Sequence, residues 1–243
     1  MIINLHDFYK KHHSQYGQDG IIEKIFDLIG TTNKYFVEFG SSGTDVDGNT
    51  SYFRQFGFDG LLMDGSDTPY GQEVEKKYDV KIEMVKASNI NSLFEIYNVP
   101  NFFDLLSIDI DGQDFYVWQA LNNTYRPRVV CIEVNYMLKA GLDVVMPYDE
   151  DYVWDGMFHY GASISAMRKL GNSKGYDLVY FCGSDAIFVR KDLLFRQDFL
   201  ICNRNDEYIL EQYNFENMGC KYVDNFVDNT LLSRWWKTSG IIA

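Results

Sequence analysis

The stretch 176-YDLVYFCGSDAIFVR-190 decides the fold. Two runs rich in β-branched and aromatic residues are separated by only Cys182–Asp185. So short a link leaves no room for a crossover helix, and the two runs are predicted to pair antiparallel. The segment before them, 162-ASISAMRKLGNSKG-175, reads as a helix stopped by glycine.

Upstream of this pair the period alternates. In 20-GIIEKIFDLIG-30, Ile21, Ile22, Ile25, Phe26 and Ile29 fall at helical spacing and Gly30 ends the pattern. Short apolar runs then read as buried strands: 35–39, 59–64, 80–85, 103–109 and 129–134. Helical candidates lie between them near 50–56, 70–78, 90–97 and 113–121. Strand–helix alternation with two-sided apolar strands predicts an α/β domain, its sheet mostly parallel with helices on both faces. Five parallel strands, a helix and a closing antiparallel pair make seven. That order resembles the Rossmann-like sheet of class I S-adenosylmethionine-dependent methyltransferases, whose last strand inserts antiparallel.

Composition narrows the class. With 243 residues, 46% of them hydrophobic, the chain can bury a full core as one domain. Residues 1–30 read as an N-terminal helical segment, 31–192 as the core and 193–243 as a polar, aromatic appendage that packs on the domain or mediates a homodimer. No apolar run reaches the ~20 residues needed to cross a bilayer, and no secretory leader is visible. Cys131, Cys182, Cys202 and Cys220 are scattered with no CxxC pair, which fits reduced thiols in a cytoplasmic protein better than zinc or disulfides. A net charge of −13 repels phosphates, so nucleic acid and anionic membranes are poor partners. A small molecule or neutral glycan is the expected substrate.

Ligands of open α/β sheets bind at the carboxyl ends of the strands. The first strand there runs into 40-GSSGTDVDGN-49. Glycines let the backbone approach a ligand closely, whereas the acidic continuation and the missing GxGxxG argue against a dinucleotide pyrophosphate. A plain loop is the other reading. The second strand ends in 61-LLMDGSD-67, where an acidic residue accepts hydrogen bonds from a ribose diol. After the third comes 86-KASNIN-91, with a small residue and an amide suited to an adenine edge.

The segments 14–26, 35–66, 104–121, 131–135 and 161–179, among them SQYGQDGIIEKIF, YFVEFGSSG, DLLSIDIDGQDFYVWQAL and CIEVN, resemble the FkbM-type methyltransferases. More narrowly, they are similar to a branch associated with O-methylation of surface polysaccharides and other glycans, so the expected acceptor is a sugar hydroxyl on a nucleotide-activated sugar or a glycan. The resemblance spans roughly 14–190. It implies S-adenosylmethionine as cofactor, with Glu38, Gly40 and Gly43 around its methionine part, Asp64 on the ribose and Ser88–Asn89 by the adenine. It extends the cofactor set to Gln18, Ser41, Asn49, Gly65 and Asp109.

Asp109 and Asp111, in 107-SIDIDGQD-114, and Glu133, in 132-IEVN-135, are expected to converge beside the reacting methyl. Attack by a sugar hydroxyl needs a base, and carboxylates close to one another have raised pKa values. Together with Asn135 they could instead hold Mg²⁺ or Mn²⁺. The spacing leaves both readings open, as it leaves open that Asp111 merely caps the next helix. His159 is a further candidate base, against the plainer reading of a packed or surface histidine. Trp118, Trp154, Tyr136 and Tyr160 could stack on a sugar ring or fill core. His12 and His13 are expected on a solvated segment. The rival functions are an NAD-dependent sugar oxidoreductase or epimerase, disfavoured by the absent GxGxxG and YxxxK, and an inactive methyltransferase fold that only binds.

Overall fold

A computed structural model describes residues 2–40, 48–65, 77–138, 141–194, 200–201 and 236–241. In chain order the elements are β1 (Ile2–Ile3), α1 (Gln18–Ile29), β2 (Tyr35–Phe39), β3 (Asp59–Asp64), β4 (Val80–Ile82), α2 (Ile90–Ile96) and β5 (Phe102–Ile108). There follow α3 (Asp114–Ala120), β6 (Arg126–Glu133), β7 (Val144–Val145), α4 (Ile164–Ser173), β8 (Tyr176–Cys182), β9 (Asp185–Arg190) and α5 (Lys191–Leu194). Two short strands, β10 (Leu200–Ile201) and β11 (Lys237–Thr238), complete the set.

The main sheet has seven strands in the order β4-β3-β2-β5-β6-β9-β8. The first five are mutually parallel. β9 lies between β6 and β8 and is antiparallel to both. The expected hairpin is therefore present, and its return strand takes the inner position. Two smaller pairs, β1 with β10 and β7 with β11, were not anticipated from the sequence.

Alternation along the strands divides the apolar side chains into two cores. Val37, Phe39, Leu61, Met63 and Ile108 pack with Phe94 of α2, Trp118 of α3 and Met167 of α4. Phe36, Leu62, Leu105, Val129 and Ile187 pack instead with Ile21, Ile25 and Phe26 of α1. Helices thus cover both faces.

At the start of α1, Gly17 provides no side-chain cap. The buried carboxylate of Asp19 instead accepts the backbone N–H groups of His12 (3.2 Å), His13 (2.6 Å) and Ser14 (2.9 Å). The expectation of a solvated His12 is corrected: its ring stacks on Tyr52 at 3.7 Å and lies 3.5 Å from Glu23.

Two further boundaries shift. The candidate helix at 50–56 is a 3₁₀ helix, Ser51–Phe56, ended by Gly57 in the left-handed conformation. β4 stops at Ile82 because, after Glu83 N–H bonds the Asp64 carbonyl (2.9 Å), the chain turns away over the strand ends. Cys131 and Cys182 are buried free thiols. Cys202, Cys220, most of the 70–78 helix and most of the appendage lie outside the described residues. Among the described residues no helix is long and apolar enough to cross a membrane.

Candidate functional site

Strand order reverses between β2 and β5, and the crevice outside their carboxyl ends is where such sheets bind ligands. Gly40 stands there. Its N–H donates to the Met63 carbonyl (3.1 Å), while Asp109 N–H donates to the Phe39 carbonyl (3.1 Å). Its φ is +75°, and a Cβ at this position would lie 1.2 Å from the Asp109 carbonyl oxygen. Only glycine lets the two strand-end loops interlock. Ser41 and Gly43 lie outside the described residues.

Where the loop returns, Glu38 closes it. Its buried carboxylate accepts Asn49 N–H (2.7 Å), Thr50 N–H (3.3 Å) and the Thr50 hydroxyl. Burial pushes the Glu38 pKa up, against the lowering by these donors. Asn49 donates to Ser107 Oγ (3.1 Å), and Gln18 donates to Asp185. These three expected cofactor residues support the strand ends from the α1 side, and none lines the cavity beside them.

That cavity, about 370 Å³, opens over Gly40, Asp64, Gly65, Asp109 and Asp111 and is walled by Glu83–Ala87 and by residues near 148–153. Asn89 shapes the wall from behind: its side chain accepts Lys86 N–H (2.7 Å) and donates to the Met84 carbonyl (2.9 Å). Ser88 is hydrogen-bonded to Glu150. Lys86, the only cationic residue among the described residues of the lining, sits 3.3 Å from Asp151.

Asp109, Asp111 and Glu133 do converge: one carboxylate oxygen from each falls within 4.8 Å of the others. Their loop is fixed by a residue the sequence reading passed over. Asp114, fully buried, accepts the N–H groups of Ile110 (2.8 Å) and Gly112 (2.9 Å). Asp111 does not cap the next helix, whose N-cap is Gln113 with no side-chain cap hydrogen bond, and it is left exposed at φ +57°. A Cβ on Gly112 would meet the Tyr152 ring at 2.4 Å.

Burial raises the Asp109 carboxyl well above its ordinary range, and Asp185, Asp114, Asp111 and Glu38 raise it further. Glu133 is raised well above its range by burial and then by Asp109, Asp114, Asp185 and Asp111. Its Oε2 atom is buried without a hydrogen-bond partner. Asp114 is raised to about 6 by burial, against the lowering by its backbone donors.

The other candidates are placed differently. Asn135 is engaged by backbone: its amide donates to the Phe158 and Tyr160 carbonyls (2.7 and 3.0 Å) and accepts Met137 N–H (3.0 Å). The His159 ring lies 3.4 Å from Asp155 and is not part of the cavity lining. Trp118 is core, 1% exposed, whereas Trp154 is exposed beside Tyr160 with ring centroids 5.9 Å apart.

Asp185 also went unread. It faces α1 in step with Ile187 and Val189, so strand parity was the available signal. Against protein-family models and curated proteins the chain finds no match.

Proposed function

We propose that the chain is an S-adenosylmethionine-dependent O-methyltransferase acting on a glycan hydroxyl. The observation that carries this reading is the sheet order β4-β3-β2-β5-β6-β9-β8, with its antiparallel β9 inserted inside and a cavity at the carboxyl ends of β2, β3 and β5. The residues present fit the cofactor. Gly40 leaves the turn after β2 without a Cβ, and Asp64 stands on the cavity at the end of β3, where a ribose diol is commonly held. S-adenosylmethionine bound there would supply a methyl group activated by a sulfonium.

The chain's own part is to orient the acceptor and take its proton. As the hydroxyl oxygen bonds to the methyl carbon and the carbon–sulfur bond breaks, a carboxylate accepts the hydroxyl proton. Asp109 is the first choice, since it lines the cavity and its raised pKa makes it a stronger base than an isolated aspartate. Asp64, Glu83, Asp109, Asp111, Asp149 and Glu150 give the cavity a negative lining, which favours an uncharged glycan over a nucleotide-activated sugar.

Calorimetry tests the class directly. S-adenosylmethionine and S-adenosylhomocysteine are expected to bind, and NAD and NADP to give no heat. Tight NAD binding with no response to S-adenosylhomocysteine would replace this reading with a dehydrogenase.

A further inference from the structure

We infer that Asp109, Asp111 and Glu133 form a binding site for one hard divalent cation, Mg²⁺ or Mn²⁺. Three separate parts of the fold deliver the ligands: the end of β5, the loop after it and the end of β6. Their oxygens lie within 4.8 Å of one another. An octahedral ion with bonds of about 2.0–2.2 Å spaces its ligand oxygens roughly 3–4.3 Å apart, so a small closure of the loop completes the site.

A cluster of acids alone would prove little. The independent observation is Glu133, 8% exposed, whose Oε2 atom is buried with no donor to satisfy it. An unpaired buried carboxylate oxygen carries a desolvation cost that a metal ion removes. Among the described residues, the charges acting most strongly on Asp109 and Glu133 are all carboxylates. Asp114, the further acid of this loop, accepts the Ile110 and Gly112 N–H groups and so holds the Asp109–Asp111 turn in place. Asp109 and Asp111 also line the cavity, so an ion held by them would lie beside the space where an acceptor would sit.

Binding of the ion stands on these residues alone; its use rests on the methyltransferase reading. In that reading the ion, with Asp109 among its ligands, would lower the pKa of the acceptor hydroxyl and so take over the task that Asp109 would perform as base in the metal-free site.

The full chain, stripped with EDTA and dialysed, is titrated with Mn²⁺ while the free-ion electron paramagnetic resonance signal is followed. One Mn²⁺ per chain should bind with a dissociation constant of roughly 100 µM or tighter. Asp111→Asn, which keeps a residue tolerant of positive φ, and Glu133→Gln should each weaken binding by about tenfold or more. Asp143→Asn, on the Lys169 ion pair away from the cluster, should bind like wild type. Absence of saturable binding in wild type, or unchanged binding in both ligand variants, would overturn the inference and mean that the carboxylates share protons instead. S-adenosylhomocysteine is titrated into the same samples. Its binding without Mn²⁺ binding overturns only the metal site, and Mn²⁺ binding without it overturns only the methyltransferase.

Discussion

At Gly40 the absence of a side chain allows two loops to touch. Gly40→Ala would force a methyl group onto the Asp109 carbonyl at 1.2 Å and a non-glycine residue into φ +75°. It should cost about 2–4 kcal/mol, read as a fall in the urea midpoint. A loss under about 1 kcal/mol would mean that the loops separate easily. Asp64→Ala tests a different property. Losing a hydrogen bond to a charged group should weaken S-adenosylhomocysteine binding by about 1.5–3 kcal/mol in calorimetry, with little change in melting temperature. Equal affinity in variant and wild type would remove Asp64 from the site. That both positions stand at strand ends on the cavity was legible in the sequence, because a glycine or an acid directly after an apolar strand has a local meaning. Glu38 misled for a reason parity exposes: it shares a face with Phe36, towards α1, opposite Val37 and Phe39. Asp114 could not be singled out from 107-SIDIDGQD-114, since which aspartate collects the loop N–H groups depends on φ values that spacing does not give.

Single elements were easiest to read where a short link fixed them. Two residues, Gly183 and Ser184, join β8 to β9, and that length alone dictated the hairpin. The seating of β9 against α1 was less visible and rests on Asp185. Burial raises this carboxyl to about 7, against lowering by Gln18 and Asn49. An unfolded aspartate titrates near 3.9, so the folded chain binds the proton more tightly. The stability this group contributes is complete below about pH 4 and is lost as the pH rises through about 7. Asp185→Asn keeps an acceptor for Gln18 and cannot ionise. The melting temperature of wild type should therefore fall relative to the variant between pH 4 and 8, and parallel curves would disprove the link. At the opposite sheet edge, buried Asp104 collects Thr32 N–H (2.9 Å) and Lys34 N–H (2.6 Å) beside Arg128 (3.6 Å). Arg128 in turn donates to the Gly30 carbonyl (3.1 Å) at the end of α1. Asp104→Ala strands those donors and a buried guanidinium, and should cost about 3–5 kcal/mol in urea unfolding. A loss near zero would show water taking over the role. A lone acid inside 103-FDLLSI-108 gave no hint of this.

Across the whole molecule, two cores sandwich one sheet, and the strand-end loops gather at its carboxyl edge. Those loops carry carboxylates whose mutual repulsion burial makes worse. Such an edge gains from a bound ligand, because a ligand contacting the ends of β2, β3 and β5 adds contacts across all three and lies among their carboxylates. A ligand that binds only the folded chain stabilises it by about 2.7 kcal/mol at a hundred times its dissociation constant. For a chain of this size each kcal/mol moves the melting temperature by about 2–4 °C, so S-adenosylhomocysteine at that excess should raise it by about 5–10 °C. NAD at the same concentration should leave it unchanged. The shift should shrink in Asp64→Ala, whose unliganded melting temperature is expected to match wild type, and persist in His159→Ala, because that ring is not on the cavity. An equal shift in Asp64→Ala and wild type would place the ligand elsewhere on the chain. A shift lost in His159→Ala would move the site toward Asp155 and the exposed Trp154.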